Sequence, residues 1–451
     1  MTVRASLALA LVAALLGFAC TKHNPRYCAG VKNSDCMNVD AGPDGDAGDA
    51  ADASDAADAA DASDSSDADA AMEAAPEHPM CTQTACGSVD GGPPICDVDA
   101  GMCRGCASAD ECVNLSGGAL RGCDSDERCY PCTKNVECTV STTPICEAHG
   151  CRACKQDSEC GDPGVCVGDG HCATNDEVVF IEYSDSGCSG ANGSSASPYC
   201  SFHDASPFIG PNSSHTVVVL RGAALDQLIL PTFPAGSAPL LVVGRKSAGG
   251  DDPNIGYTTS SAVIASSGTI TVRDLAIAGG TSSQSIGVKV SGTAKLNLSN
   301  VTVSGGKGLG IDVSGGANLT LDRCSIVSSA AGGLSVHGGG FVVQNTIIAS
   351  NGFGAKLLNV SAGSQFWFDT VVGSAGSAIA CDTSSPTIDD SVIQGFNDGC
   401  TLNDTLTPTS PTYSAVSLPP AMACTTPPAT FPDHDYNGKA RGPTASCGAV
   451  Q

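Results

Sequence analysis

The stretch from Gly287 to Ile326 reads GVKVSGTAKLNLSNVTVSGGKGLGIDVSGGANLTLDRCSI, and its pattern recurs along the chain. The opening GVKV returns as GIDV, GLSV, GAKL and AIAC, beginning at Gly310, Gly333, Gly354 and Ala378, at spacings of 23, 23, 21 and 24 residues. About ten residues after each comes a second alternating segment: LSNVTV, LDRCSI, VQNTII, FDTVVG and IDDSVI. A short repeat of β-branched alternation between Gly, Ser and Asn turns is typical of a stacked β-solenoid.

The alternation predicts which side chains face the interior of the solenoid. In one rung these are Val288, Val290, Leu296, Leu298, Val301 and Val303, and in the next Ile311, Val313, Leu319, Leu321, Cys324 and Ile326. Strands stacked about 4.8 Å apart would pile them into apolar columns, and some eight rungs would make a rod roughly 40 Å long. Turn residues recur at Asp274, Asn300, Asn345 and Asp390. Asn and Asp tolerate left-handed backbone, so we interpret these four as structural.

The segments flanking the repeat resemble those of known proteins. VVFIEYSDSGCSGANGSSASPYCSFHDAS (from Val178) and HTVVVLRG (from His215) resemble the opening segment and first strand of bacterial parallel β-helix proteins. DHDYNGKARGPTASCGAVQ (from Asp433) resembles their closing segment, and the rungs resemble the right-handed, pectate-lyase-like β-helix superfamily. The resemblance implies an all-β fold in which residues 177–451 form a right-handed parallel β-helix with a short capping element near its start.

The N-terminus has the features of an export signal. A basic start precedes the twelve-residue apolar run Ala5–Leu16, which is too short to cross a bilayer stably as a helix. The following LGFAC resembles a bacterial lipoprotein cleavage box, although Gly17 stands where that family prefers Leu. The resemblance implies a signal peptide over residues 1–19 and lipid attachment at Cys20; ordinary cleavage after Ala19 is the alternative. Thr21 resembles the outer-membrane sorting pattern.

A short segment, residues 20–39 with Cys28 and Cys36, leads into an acidic tract over residues 40–77. The tract carries eleven Asp and two Glu without Lys or Arg, half of the formal net charge of −26. With so little apolar content it cannot form a packed core, so we expect a disordered linker. Calcium binding is the alternative, but aspartates at a period of three do not match a D-x-D-x-D-G loop. The acidic charge disfavours nucleic acid as a partner.

Residues 81–172 contain sixteen cysteines, arranged largely in tandem repeats. CRGCASADEC, CYPCTKNVEC and CRACKQDSEC share the pattern C-x2-C-x5-C with a Glu before the third Cys. Such small units need covalent links, and the export signal favours disulfides over zinc thiolates. They resemble the small cysteine-rich modules of secreted proteins. The predicted disulfide cysteines here are Cys103, Cys106, Cys112, Cys123, Cys129, Cys132, Cys138, Cys146, Cys151, Cys154, Cys160 and Cys166.

The remaining cysteines pair by position along the chain. We predict disulfides Cys28–Cys36, Cys188–Cys200, Cys381–Cys400 and Cys424–Cys447. Cys324 is left over, and its place in an interior column predicts an inert, buried thiol. We expect no metal and no cofactor.

No catalytic constellation emerges from the sequence, although the superfamily includes polysaccharide lyases and glycoside hydrolases. Asp389-Asp390 is the one apt pair for a hydrolase, but His337 precedes it and lies in Ser-Val-His-Gly, not G-H-G. The carboxylates that a lyase would use for calcium do not recur beside an Arg or Lys: Asp312, Asp322, Asp369, Asp382 and Asp389. A diverged site for glycan cleavage stays open because two carboxylates about 5–10 Å apart would suffice.

The single Trp of the chain is the candidate binding residue. In FWF, register with Leu296 and Leu298 predicts that Phe366 and Phe368 turn inward and Trp367 faces out. An outward indole can stack on a sugar ring or anchor a protein; packing against a neighbouring loop is the alternative. We therefore predict an exported, non-catalytic cell-envelope lipoprotein, anchored in the outer membrane, that serves in adhesion or scaffolding or binds a polysaccharide or surface protein. A polysaccharide lyase or glycoside hydrolase on the same β-helix is the alternative function.

Overall fold

The computed structural model describes residues 86, 95–97, 99, 102–116, 118–183, 190–211, 213–224, 227–234, 236–257, 259–304, 306–382, 386–409, 413, 418–419, 422–423, 432–441 and 446–449. All belong to one compact unit, Glu77–Gln451. The predicted signal peptide, Cys20, Cys28, Cys36 and the acidic linker lie outside these residues, as do Cys188 and Cys424. Within the described part of the chain, no helix has the length and apolar character needed to span a membrane.

The cysteine-rich region is built from short antiparallel hairpins, one short α-helix and single 3-10 turns. The hairpins pair Ile95–Asp97 with Met102–Arg104, Gly122–Cys123 with Cys129–Tyr130, and Ile145–Glu147 with Gly150–Arg152. The helical elements are Ala109–Ser116 and the 3-10 turns Asn135–Glu137 and Asp157–Glu159. Seven disulfides link these elements: Cys86–Cys103, Cys106–Cys123, Cys112–Cys129, Cys132–Cys146, Cys138–Cys151, Cys154–Cys166 and Cys160–Cys172.

The connectivity interlocks successive modules. The second Cys of each C-x2-C-x5-C unit bonds to the Cys that follows the unit, as in Cys132–Cys146. The third bonds to the first Cys of the next unit, as in Cys112–Cys129 and Cys138–Cys151. Neighbouring modules are therefore covalently linked side to side as well as through the backbone.

The Glu before each third cysteine has a structural role in the module. Glu111, Glu137 and Glu159 each accept the backbone N–H of the fourth residue before them, which closes the loop between the second and third cysteines. Arg104 and Arg152 pair with Glu111 and Glu159 at N–O distances of 2.7 and 2.9 Å. The hydrogen bond from the Arg side chain lowers the pKa of each of these two Glu to about 2.

Residues from Val178 onward coil into a parallel β-helix with three sheets, here sheets A, B and C. Sheet A contains Val178–Glu182, Val217–Arg221, Leu240–Arg245, the first halves of Thr269–Ala278 and Lys295–Ser304, then Asn318–Asp322, Gly340–Gln344, Gln365–Trp367, Thr387–Asp389 and Leu402–Asn403. Sheet B contains Ala223–Ala224, Asn254–Gly256, the second halves of the two long strands, then Ser325–Val327, Ile347–Ala349, Thr370–Val372 and Val392–Ile393. Sheet C contains Leu228–Ile229, Val263–Ala265, Val288–Val290, Leu309–Ser314, Gly332–His337, Ala355–Leu358, Ile379–Cys381 and Asn397–Asp398.

The predicted interior columns are confirmed. All twelve side chains assigned to the interior of two successive rungs are buried, and Val288 pairs with Ile311 and Leu298 with Leu321. Sterics explain why each repeat begins with Gly. A Cβ on Gly310 or Gly333 would lie 2.7 or 2.6 Å from a carbonyl oxygen of the next rung. Adjacent rungs approach too closely there for a side chain.

The corner between sheets A and B is a column of left-handed residues. Asp274, Asn300, Asn345 and Asp390 have φ of 61°, 53°, 51° and 49°, as their residue types predicted. Asn300 Nδ2 donates to Asp274 Oδ1 across the rungs at 2.8 Å. The sequence did not indicate that Arg323 and Phe368 fill the same column, with φ of 53° and 58°.

A short cap covers the first rung of the coil. The helix Phe202–Ala205 begins after Ser201, whose Oγ accepts the N–H of Asp204, and a 3-10 turn Ser206–Phe208 follows. Phe202 and Ala205 are buried in the interior cluster. The capping element that the resemblance implied is therefore present.

The third cysteine module packs on the outside of sheet A. The first three strands of this sheet are apolar on both faces, and their outer side chains form a cluster with Val165, Val167 and Ala173 of the module. Beside this cluster, Asp157 of the module pairs with Arg273 and Arg245 at N–O distances of 2.6 and 3.3 Å. Apolar contact and ion pairs thus join the module to the β-helix.

The described parts of the closing segment, residues 432–441 and 446–449, lie along the outside of the coil. Ala449 and Tyr436 cover outward side chains of sheet B such as Ile347 and Val372. Ser446–Cys447 forms a short antiparallel pair with Met422–Ala423. The covering explains why sheet B strands such as Thr370–Val372 are buried on both faces.

The disulfide pairing predicted for the β-helix agrees with the structure where both cysteines are described. Cys381 and Cys400 form a disulfide. Cys200 and Cys447 are also disulfide-bonded, and their predicted partners lie outside the described residues. Cys324 is a buried free thiol, and burial raises its pKa to about 12.

Candidate functional site

The part of sheet A beyond the cysteine module presents a polar outer wall. One outward column next to the corner runs across successive rungs through Arg273, Ser299, Asp322, Gln344, Trp367, Asp389 and Asn403. The neighbouring outward column runs through Thr271, Asn297, Thr320, Val342, Gln365 and Thr387. These two columns, from Ser299 and Asn297 onward, are called the outer wall below.

Trp367 lies on this wall, between Gln344 and Asp389. Its side chain is partly exposed, and Asp389 lies beside it in the next rung, followed by the buried Asp390. The ring lies 5.6 Å from that of Phe368, centroid to centroid. The outward orientation agrees with the prediction.

The predicted positions of the two flanking phenylalanines need correction. Phe366 pairs with Val343, so it takes the place of Leu298 in the interior column rather than that of Leu296. Phe368 then falls at the corner, where its φ is 58°, instead of in the interior column. The side chain of Phe368 is nevertheless fully buried, because the Arg441 guanidinium covers its ring at a distance of 4.4 Å. The predicted register therefore placed Phe366 and Phe368 two positions too early along the rung.

Two buried carboxyl groups lie beside Trp367. Asp369 is fully buried and accepts the backbone N–H groups of Thr346 and Trp367 at 2.8 and 2.9 Å; burial raises its pKa well above the usual value. Asp390 is 3% exposed, and burial, with the nearby charges of Asp389 and Asp404, raises its pKa to about 6.

Asp322 connects the wall to the closing segment. It accepts the Asn345 side-chain amide at 3.1 Å, and Arg323 and His434 lie 3.2 and 3.3 Å from its other oxygen. Burial alone would raise the pKa of Asp322, but the Asn345 hydrogen bond and the interactions with Arg323 and His434 outweigh it, so the pKa is lowered. Asp322 is therefore a charged anchor for His434.

Arg441 fastens the closing segment over the corner. Its guanidinium donates to Asn345 Oδ1 and to the carbonyls of His434, Ser446 and Gly448, at 2.9 to 3.1 Å. The side chain is 8% exposed. Neither Arg441 nor His434 was singled out from the sequence, because their partners lie on rungs about a hundred residues away.

The carboxylates considered for catalysis are scattered. Asp322 and Asp389 share a column but stand three rungs apart, about 14 Å at the usual strand spacing. Asp369 is buried, and Asp312 lies on sheet C beside Lys289, where its pKa is raised by burial. These carboxylates do not recur at one position beside an Arg or Lys, although Asp312 lies beside Lys289 and Asp322 beside Arg323.

His337 and Asp382 lie on sheet C or at its end. His337 is exposed and precedes the corner residue Gly338, whose φ is 74°. Asp382 accepts the backbone N–H of Asn359 at 2.6 Å. The structure therefore does not bring these two residues to the outer wall of sheet A.

Comparison with known proteins agrees with the fold. A family model described as right handed beta helix region matches residues 262–412, which together with the three parallel sheets confirms the predicted right-handed parallel β-helix. The crystal structure of pectate lyase Pel9A is similar at 12% sequence identity and a TM-score of 0.33, covering 59% of this chain and 88% of that chain. A similarity this low carries no conclusion about activity. No curated protein sequence matches the chain.

Proposed function

We propose that the protein is a non-catalytic cell-envelope lipoprotein whose outer wall binds a neutral polysaccharide, with Trp367 as the stacking residue. The observation that carries the proposal is the position of Trp367: partly exposed on the outer wall, between Gln344 and Asp389, among mostly polar side chains. An aromatic face supplies apolar contact to a sugar ring, and the surrounding polar groups supply hydrogen bonds to hydroxyls.

The polar wall favours a glycan over a protein partner. Protein interfaces have an apolar centre, whereas the large exposed apolar side chains described here lie elsewhere: Met102, Val136, Val140, Phe208, Ile229 and Phe396. The net charge of −26, with Asp322 and Asp389 on the wall itself, disfavours a polyanion. A neutral chain of sugars fits both features.

Geometry favours binding over cleavage. Hydrolysis of a glycosidic bond needs two carboxyl groups roughly 5–9.5 Å apart. Asp322 and Asp389 exceed that separation at about 14 Å, and Asp390 is buried. A lyase or hydrolase remains the outcome that the experiment below would reveal through products.

The test is an array of neutral and acidic glycans, scored for both binding and cleavage with the intact protein. We expect binding to neutral chains without release of reducing or unsaturated ends. Trp367→Ala should abolish it, while Phe396→Ala, which removes an aromatic that is 67% exposed at another position, should leave it unchanged. Product release would establish the enzyme; binding that survives Trp367→Ala, or capture of a protein instead, would overturn the proposed site.

The envelope location rests on the lipoprotein-like cleavage box at Cys20, supported by the disulfide-rich modules, which are typical of exported proteins. Anchoring at the outer membrane would present the wall to polymers of the envelope or beyond it. Cys20→Ala should move the protein from the membrane fraction to the soluble fraction, with Cys324→Ala as the control that stays in the membrane. Unchanged partitioning of the Cys20 variant would remove the lipid anchor from the proposal.

A further inference from the structure

Phe368 is an unexpected residue for the corner between sheets A and B. The same position holds Asn345 in the preceding rung and Asp390 in the following one, both short polar residues that tolerate left-handed backbone. Phe368 adopts this conformation too, with φ of 58°, although its bulky side chain makes it unfavourable. Residues held in such sparsely populated conformations cluster at functional sites. The corner does not require a Phe, so the contacts of its ring have to account for it.

The ring of Phe368 contacts both Trp367 and the closing segment. Its centroid lies 5.6 Å from that of the Trp367 ring, at an interplanar angle of 47°. The Arg441 guanidinium lies 4.4 Å from the same centroid and is itself held by hydrogen bonds to Asn345 and to three carbonyl groups. Phe368 and Arg441 are both buried. The ring of Trp367 therefore has a fixed aromatic neighbour on the inner side of the wall.

Asp369 is equally unexpected at the position that follows the corner and precedes the strands of sheet B. Neighbouring rungs hold Thr346 and Ser391 there, and each hydroxyl donates to the carbonyl two residues before it, at 2.9 and 2.8 Å. Asp369 Oδ2 instead accepts the backbone N–H of the residue two before it, Trp367, at 2.9 Å.

The other contacts of Asp369 do not require a carboxyl group. Its Oδ1 accepts the backbone N–H of Thr346 in the preceding rung at 2.8 Å. In the same way Ser391 Oγ accepts the backbone N–H of Asp369 at 3.1 Å. A Ser at this position would therefore reproduce every contact except the bond to Trp367. Since Asp369 is fully buried, where a carboxyl group is costly, that bond is what distinguishes it from its column.

We propose that Phe368 and Asp369 are positioning residues that hold Trp367 in a single orientation on the outer wall. Asp369 fixes the backbone of Trp367, and Phe368 supports its ring. A side chain that is ordered before the ligand arrives loses less conformational entropy on binding, which raises affinity. The glycan in this scheme rests on the proposed function, whereas the positioning of the indole exists without any ligand.

The single Trp of the chain makes the positioning directly measurable. Time-resolved fluorescence anisotropy of the intact, ligand-free protein should show the indole rotating only with the whole molecule. Phe368→Asn and Asp369→Ser each introduce a residue type that the same column carries in a neighbouring rung, so both should fold, and either folded variant suffices for the test. Each should add the fast component, on the nanosecond scale or below, of a freely rotating side chain. Such a component already in the wild type, or its absence from the folded variants, would overturn the proposal.

Two control variants separate positioning from a general loss of stability. Thr346→Ser keeps a hydroxyl in the same column and leaves the contacts of Trp367 unchanged. Phe202→Leu removes a buried aromatic ring from the cap of the first rung, so its thermal midpoint should fall. Neither control should show the fast component, and its appearance in either would attribute the motion to loosened packing and refute the proposal. A fast component in only one of the two test variants would refute the role of the other residue.

A second readout uses whichever neutral glycan the array identifies, with dextran and a galactomannan as initial soluble probes. Phe368→Asn and Asp369→Ser should weaken binding about two- to tenfold, the effect of losing one ring contact or one hydrogen bond, and Thr346→Ser should bind as the wild type does. Unchanged affinity in a variant whose indole has become mobile would refute the contribution of positioning to binding. A fast component confined to the test variants, without glycan binding by any of the proteins, would overturn the proposed function and leave the positioning standing.

Discussion

Arg273 on the β-helix places its Nη2 2.6 Å from Oδ1 of Asp157 in the third cysteine module, although 116 residues separate the two in sequence. The same carboxylate accepts the backbone N–H of Cys166 at 2.8 Å. In the second module Asn135 makes the equivalent bond to Cys146 at 2.9 Å. Asp157 therefore makes the same bond within its module as Asn135 does, and its charge also joins the third module to the β-helix.

We predict that Asp157→Asn destabilises the junction by about 2 kcal/mol, the loss of hydrogen bonds to charged groups, while the Cys166 bond is retained. The pKa of Asp157 is lowered, since its hydrogen bonds and charged partners outweigh burial. Its stabilising effect is therefore present above roughly pH 4 and is lost as the solution is made more acidic. Denaturant unfolding at pH 7 and pH 3 measures both the loss of stability and its dependence on pH. Asp176→Asn, which changes an exposed carboxylate, is the control, and equal stabilities of the Asp157 and Asp176 variants at pH 7 would contradict the prediction.

The close approach of adjacent rungs at the leading Gly of the repeat predicts that a larger residue there destabilises the protein. In Gly333→Ala the new Cβ would lie 2.6 Å from Gly354 O and 2.8 Å from the Asn351 side-chain nitrogen. Over-packing of this kind costs about 1–3 kcal/mol, to be read from thermal unfolding. Gly168→Ala meets nothing within 4 Å and should leave the midpoint unchanged. A tolerated Gly333→Ala would show that adjacent rungs can separate at this point.

Cys324 should be inert in the folded protein and should react with thiol reagents only after unfolding. Burial raises the pKa of its thiol to about 12, so no thiolate forms near neutral pH. Its Sγ lies 3.4 Å from the carbonyl oxygens of Leu298 and Asp322. Cys324→Ser can make the same contacts and should change stability by less than about 1 kcal/mol. Labelling of Cys324 in the native state, located by mass spectrometry, would contradict its burial.

The raised pKa of Asp390 predicts an unusual dependence of stability on pH. Its carboxyl binds a proton more tightly in the folded chain, with a pKa of about 6 against 3.8. The free energy of unfolding from this group is therefore highest below about pH 4 and falls as pH rises to 6, by about 3 kcal/mol in all. The free energy of unfolding of Asp390→Asn relative to wild type should therefore increase by about that amount as the pH rises from 4 to 7. A pH-independent difference between the two proteins would show that Asp390 keeps an ordinary pKa.

Much of the β-helix could be predicted because its determinants are local and repeated. Val288, Ile311 and Leu334 stand at the same place in successive units, and the structure stacks them in register. Alternation decides which side chains point inward, and the repeat length decides which of them meet. The register of Phe366 was predicted wrongly because Phe366 and Phe368 are two residues apart, so either could take the place of Leu298 in a pattern that alternates every second residue.

The sequence by itself determined the coil, its interior columns, the left-handed residue types at one corner and the cysteine spacing of the modules. Only the tertiary structure decided that Asp157 meets Arg273, that Arg441 covers Phe368, and that Trp367 lies between Gln344 and Asp389 on the outer wall. Periodicity reports the burial of apolar side chains, which every rung repeats. Contacts among single charged and aromatic side chains depend instead on the path of the flanking segments across the rungs, and no repeat encodes that path.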